Sequence, residues 1–207
     1  CSSDLDFCGP GVPLDEVRRE IMLGKAWLER VFERPCLGMR PACGFSHGFN
    51  GAPEILQIVQ EAGLRYTSSL LWGPLYSLPA PLNTPFSYAS QGYPGLWELP
   101  GHGWHENLLK DNNRWGGVRI MLFPPPVPEA IPPDFVKTPE EEFRYNNQPF
   151  IDRAIAGALP HVTLVWHPWS LNAFDPEMRM LEMTFRYVRE RGLQAGTFAQ
   201  LYERCTA

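Results

Sequence analysis

The sequence lacks the features that mark membrane, secreted and nucleic-acid-binding proteins. No apolar run approaches the roughly 20 residues that span a bilayer, and no charged-then-apolar first segment indicates a signal peptide. A net charge of −5 provides no basic surface for nucleic acid or anionic lipid. We therefore expect neither nucleic acid nor membrane as a partner.

The number and spacing of the cysteines also limit the kinds of site that the chain can form. The chain has five, an odd number, and no C-x-x-C spacing. This pattern disfavours a disulfide framework and a structural zinc knuckle. It predicts free thiols in a reducing compartment, which favours a cytoplasmic location.

Common catalytic signatures are missing too. The chain contains no H-E-x-x-H, no glycine-rich phosphate loop and no dinucleotide fingerprint. It does contain 22 prolines, 7 tryptophans and 12 phenylalanines, which is typical of long ordered loops over an α/β core. Its 207 residues fit a single domain, residues 1–207.

Hydrophobic periodicity predicts alternating helices and strands. The predicted helices cover residues 13–33, 53–62, 149–159, 175–191 and 198–204, and the predicted strands 64–71, 96–100, 118–123 and 161–166. Residues 161–166 are apolar enough for a strand buried on both faces. The helix over 175–191 is expected to turn four apolar side chains inward, namely Met178, Leu181, Phe185 and Val188. This order predicts parallel strands, hence an α/β barrel or a doubly wound sheet.

Three clusters of side chains suited to catalysis or binding lie where a strand is expected to end and a loop to begin. Parallel α/β folds build their active sites at such positions. Arg40 precedes a proline, which holds it extended and able to present its fork to a carboxylate; a surface arginine is the plainer alternative. His167 lies between Trp166 and Trp169 after an apolar run, a position suited to acid–base chemistry. A satisfied core histidine explains His167 about equally well.

The third cluster is residues 98–107 (ELPGHGWHEN). His102 and His105 could bind a metal or the polar groups of a sugar, and Trp104 could stack on a sugar ring. Loop histidines without a ligand are the alternative. The proline-rich residues 124–133 resemble a ligand for a proline-reading domain, although a stiff surface loop explains them better.

Several segments together resemble the polysaccharide deacetylase family, also called NodB-homology domains or carbohydrate esterase family four. The resemblance covers residues 12–207 and rests on the order of five motifs rather than on any single one. They are residues 16–21 (EVRREI), 40–44 (RPACG), 61–66 (EAGLRY), 164–169 (LVWHPW) and 196–201 (GTFAQL).

The resemblance implies a deformed (β/α) barrel and hydrolysis of non-peptide carbon–nitrogen amide bonds, with deacetylation of an N-acetylated carbohydrate as the leading expectation. It implies that Arg40 orients a catalytic carboxylate and that His167 protonates the leaving amine. His102, Trp104, His105 and Trp169 are the expected substrate-binding residues. Metal-dependent members hold a divalent ion, zinc for example, with an aspartate and two histidines in H-[ST]-x-x-H spacing.

The sequence departs from the family near its start. The aspartate pair of the first motif has no counterpart, and residues 2–6 (SSDLD) stand where the second motif should supply its two histidines. We therefore expect a chain that lacks the first barrel strand or strands, and we leave open whether a metal binds or none is used. Open strand edges predict a homo-oligomer or poor solubility.

Two alternatives remain open from the sequence. One is a metal-independent, allantoinase-like amidohydrolase, which the altered second motif favours. The other is a catalytically inactive barrel that binds a carbohydrate or a partner protein, which both departures favour.

Overall fold

The computed structural model describes residues 12–41, 44–110 and 125–207. The helices are α1 (Leu14–Phe32), α2 (Pro53–Glu61), α3 (Glu106–Leu109), α4 (Pro139–Glu142), α5 (Gln148–Ala156), α6 (Pro168–Phe174), α7 (Arg179–Glu190) and α8 (Phe198–Thr206). A π-helical turn, Phe143–Asn147, joins α4 to α5. The strands are β1 (Gly38–Met39), β2 (Tyr66–Thr67), β3 (Phe86–Tyr88) and β4 (Tyr93–Glu98). The predicted α/β class is confirmed.

The chain divides into two compact units. The first, called the sheet unit, comprises Cys1–Leu71, Pro85–Pro100 and Thr197–Ala207. The second, called the histidine unit, comprises Trp72–Thr84 and Gly101–Gly196. No helix within the described ranges is both long and apolar enough to cross a membrane.

The sheet unit is built on one mixed sheet in the order β1-β2-β4-β3. Strands β1, β2 and β4 run parallel, with Met39 opposite Thr67 and Thr67 opposite Glu98, whereas β3 is antiparallel to β4. In the described part of the chain this sheet is open. Its apolar core joins α1 and α2 to the sheet through buried side chains that include Val17, Ile21, Leu56, Val59 and Leu96.

Two predicted strands are shorter than expected. Residues 64–71 were predicted as one strand, but only Tyr66–Thr67 forms β2, followed by a single parallel bridge from Leu70 to Phe45. Residues 161–166 contribute one bridge, at Leu164, and all six residues are half-buried, so burial on both faces is wrong. The predicted strand over 118–123 lies outside the described residues.

The predicted helix over 175–191 begins later than expected and presents a different face. Asp175 ends α6, Met178 has a left-handed φ of 57°, and α7 starts at Arg179. The prediction that Phe185 points inward is wrong, because this side chain is 57% exposed. The residues of α7 that are fully buried are Met180 and Thr184, rather than the predicted set of Met178, Leu181, Phe185 and Val188.

Helix α1 matches its predicted span but buries little of its apolar stripe. Val17 and Ile21 are buried, whereas Trp27 is 60% and Phe32 is 65% exposed. The cysteines of the described ranges, Cys36 and Cys205, are both free thiols.

Candidate functional site

The histidine unit brings two loops together through a short parallel pairing. His102 forms a parallel bridge with Leu164, and the His102 amide donates to the Thr163 carbonyl at 2.7 Å. Gly103 follows with φ +85°, and a Cβ there would lie 3.2 Å from the Leu164 side chain. The pairing therefore requires glycine at 103 and sets the register of the residues that follow on both loops.

That register places Glu106 against His167. Glu106 is the first residue of α3, and His167 is the N-cap of α6. The Glu106 Oε1 atom accepts two hydrogen bonds from His167, one from its backbone N–H at 2.8 Å and one from its ring Nδ1 at 2.9 Å. The Glu106 side chain is fully buried, while that of His167 is 32% exposed.

This arrangement fixes the state of both groups. Burial raises the pKa of the Glu106 carboxyl, but the hydrogen bonds from His167 and the charge of that imidazole outweigh it and hold that pKa below its usual value. An ionised Glu106 accepts the proton on His167 Nδ1, so this nitrogen is the donor of the pair. Nε2 is then the ring nitrogen that can take up or give up a proton.

Two aromatic rings flank the His167 imidazole. The His105 ring stacks on it with centroids 4.8 Å apart and planes 24° apart, and the Trp169 ring lies 5.7 Å away. All three side chains are half-buried. A substrate that reaches His167 therefore meets His105 and Trp169 as well.

The other two predicted substrate-binding residues are engaged within the protein. His102 is 3% exposed; its Nδ1 accepts the Thr163 N–H at 3.0 Å and its Nε2 donates to the Asn83 carbonyl at 2.9 Å. Trp104 donates its indole N–H to the Ala130 carbonyl at 3.0 Å and packs against a small apolar core. Both contact sets favour a positioning role for these two residues.

Arg40 lies in the sheet unit, directly after β1. The side chain is exposed, donates to Ser68 Oγ at 2.9 Å, and places its guanidinium 5.5 Å from the centre of the Phe198 ring. Both contacts are to residues of the same unit, and they hold the fork at the carboxyl end of the parallel strands.

Sequence reasoning did not single out Glu106 or the ion pair beside it. Lys110 Nζ lies 2.6 Å from Glu142 Oε1, with side chains 2% and 0% exposed. Lys110 also reaches Ser170 Oγ at 3.3 Å and the Phe174 ring centre at 4.7 Å. It thereby ties the end of α3, the helix that begins at Glu106, to α6, the helix that His167 caps.

One group of described residues has metal-ligating side chains close together. The ligand atoms of His105, Glu106 and His167 all lie within 4.8 Å of one another. Residues 2–6, where the resemblance to the deacetylase family would put two metal-binding histidines, lie outside the described ranges. Comparison with known proteins finds no family model, no curated protein and no solved structure that matches this chain.

Proposed function

We propose that this protein is a hydrolase of non-peptide carbon–nitrogen amide bonds in which His167 acts as the acid–base residue. The observation that carries the proposal is the double hydrogen bond from His167 to the buried carboxylate of Glu106. A histidine whose Nδ1 is held by a buried carboxylate and whose side chain is 32% exposed is suited to acid–base catalysis.

The chemistry follows from the geometry of the pair. Water adds to the amide carbonyl, and the bond to nitrogen breaks once that nitrogen is protonated. His167 Nε2 takes a proton from the attacking water and delivers it to this nitrogen, while Glu106 accepts the hydrogen bond from Nδ1 and stabilises the imidazolium form. The stacked ring of His105 and the nearby ring of Trp169 restrict the imidazole orientation and the access of water.

The resemblance to polysaccharide deacetylases supplies the substrate class and the finer fold. We propose an N-acetylated carbohydrate as substrate and a deformed (β/α) barrel as the architecture. The parallel order of β1, β2 and β4 is compatible with such a barrel. Arg40 retains its proposed role of orienting a catalytic carboxylate, because its fork is fixed at the carboxyl end of β1.

The test is hydrolysis by the full-length protein. We expect acetate release from N-acetylated glucosamine oligomers, and a loss of about 10²–10⁴-fold in kcat/KM for His167→Ala. Glu106→Gln should also lose activity, because an amide cannot hold the Nδ1 proton as the carboxylate does. His47→Ala is the matched control, since His47 is an exposed histidine of the sheet unit.

Three results would change or refute the proposal. Ammonia release from a ureide such as allantoin, without acetate release, would favour the allantoinase-like alternative. Full activity in His167→Ala would refute the assigned role. Saturable glycan binding without any turnover would favour the non-catalytic alternative.

A further inference from the structure

The second oxygen of Glu106 has no hydrogen-bonding partner among the described residues, although it is buried. A buried carboxylate oxygen without a donor is costly, and its neighbours here can supply a cation site. The nearest ring nitrogen is His105 Nδ1, 3.8 Å from Glu106 Oε2. That distance is too long for a hydrogen bond.

The His105 nitrogen faces this oxygen as an acceptor. The side-chain amide of Asn107 donates to His105 Nδ1 at 3.3 Å, so with the amide in this orientation Nδ1 carries a lone pair rather than a proton. Two electron-pair donors thus face one another across 3.8 Å. The hydrogen bond from Asn107 is long, and exchanging it for a metal bond costs little.

The spacing of the three ligands suits a small ion. Bonds of about 2.0–2.1 Å to a tetrahedral ion place neighbouring ligand atoms roughly 3.4 Å apart. His167 Nδ1 lies 2.9 Å from Glu106 Oε1 and His105 Nδ1 lies 3.8 Å from Glu106 Oε2. These two distances lie on either side of that value, and the ligand atoms of the three residues all lie within 4.8 Å of one another. The side chains of His105 and His167 are 21% and 32% exposed, so an ion can enter and water can fill a further position.

The donor set selects the class of metal. Two imidazoles and one carboxylate suit zinc and its neighbours, whereas magnesium and calcium prefer oxygen alone. We propose that His105, Glu106 and His167 bind one divalent transition-metal ion of the zinc class, which takes the place of the proton between Glu106 and His167. One consequence rests on the proposed function: with the metal bound, His167 cannot act as an acid, so hydrolysis is inhibited.

Binding is measured by calorimetric titration of the full-length protein with Zn²⁺ and by the visible absorption of Co²⁺. We expect one ion that is lost in His105→Asn, a change at a half-exposed side chain whose folding is checked by circular dichroism. Replacing a partner outside the coordination sphere costs about 10–100-fold in affinity, so loss of a ligand should cost at least the upper end of that range. His167→Ala should behave alike, and Mg²⁺ should not compete.

His47→Ala is again the control. The ion at the site is counted as the difference in bound zinc between the parent protein and His105→Asn, because free thiols such as Cys36 and Cys205 are also potential zinc ligands. Titration in buffers of different ionisation enthalpy should show a proton released on binding. Unchanged affinity in both His105→Asn and His167→Ala would overturn the site. Hydrolysis that is abolished by a chelator and restored by zinc would overturn inhibition, whereas binding without any hydrolysis would support the site and refute the proposed function.

Discussion

The carboxylate of Glu98 gives the sharpest test of what holds the sheet unit together. Glu98 ends β4, is fully buried, and accepts five hydrogen bonds of 2.6–2.8 Å. Its Oε1 accepts two backbone N–H groups, those of Ser69 and Leu70. Its Oε2 accepts three hydroxyls, those of Thr67, Ser69 and Tyr88. The substitution Glu98→Gln keeps the shape and removes the charge.

The size of the expected loss in stability depends on which of the five donor groups can accept a hydrogen bond instead. Backbone N–H groups cannot become acceptors, so the amide oxygen must take the Oε1 position and the NH₂ group must face the three hydroxyls. Two hydroxyls can reverse to accept the two amide hydrogens, and the third loses its partner. Hydrogen bonds to a charged group contribute about 1.5–3 kcal/mol and neutral ones about 0.5–1.5 kcal/mol. We therefore expect Glu98→Gln to lower the free energy of unfolding by about 3–5 kcal/mol.

Urea unfolding followed by circular dichroism measures this loss as a shift of the midpoint at constant slope. Glu54→Gln is the control, because Glu54 is an exposed glutamate of the same unit, and the loss of its charge in the first turn of α2 should cost less than about 1 kcal/mol. A free energy of unfolding for Glu98→Gln within about 1 kcal/mol of the parent value would refute the reasoning, because the negative charge would then add little to the five hydrogen bonds.

Two further predictions use the same unfolding assay. Lys110→Met strands the buried carboxylate of Glu142 and should cost about 3–5 kcal/mol at pH 8. Burial raises the pKa of the Glu142 carboxyl in the folded protein, so its ionisation destabilises the fold as pH rises above the unfolded-state pKa. The cost of Lys110→Met should therefore shrink towards pH 5, where this carboxyl becomes protonated, and a cost independent of pH would contradict the prediction. Thr197 and Gln200 form the capping box at the start of α8, and Thr197→Ala should lower the free energy of unfolding by about 1 kcal/mol. An unchanged free energy of unfolding would show that the cap is dispensable.

The helices that the sequence predicted well are those whose ends are set locally. Helix α2 starts at Pro53 and is followed by Gly63 with φ +71°, and α8 begins after a capping threonine. Proline and glycine act on the backbone at their own positions, so their signals survive whatever packs nearby.

The start and the buried face of α7 depend on contacts from elsewhere in the chain. Asp175 Oδ2 accepts the Met180 N–H at 2.8 Å, which leaves Asp175 and Pro176 outside the helix they were predicted to open. Thr184 is buried because Asn147 Nδ2 donates to its hydroxyl at 2.6 Å. A hydrophobic pattern cannot predict a buried hydroxyl whose partner lies 37 residues away.

In the candidate site too, one residue could be predicted from the sequence around it and its partner could not. His167 could be predicted as an acid–base residue from its own surroundings, but its partner Glu106 lies 61 residues earlier. What joins them is the bridge between His102 and Leu164, from which each loop runs three or four residues to the pair. His102 secures that bridge with both ring nitrogens, through Thr163 on one loop and Asn83 beyond it. The ring of His102, predicted from the sequence to contact substrate, is buried, and its hydrogen bonds help to set the register in which carboxylate and imidazole meet.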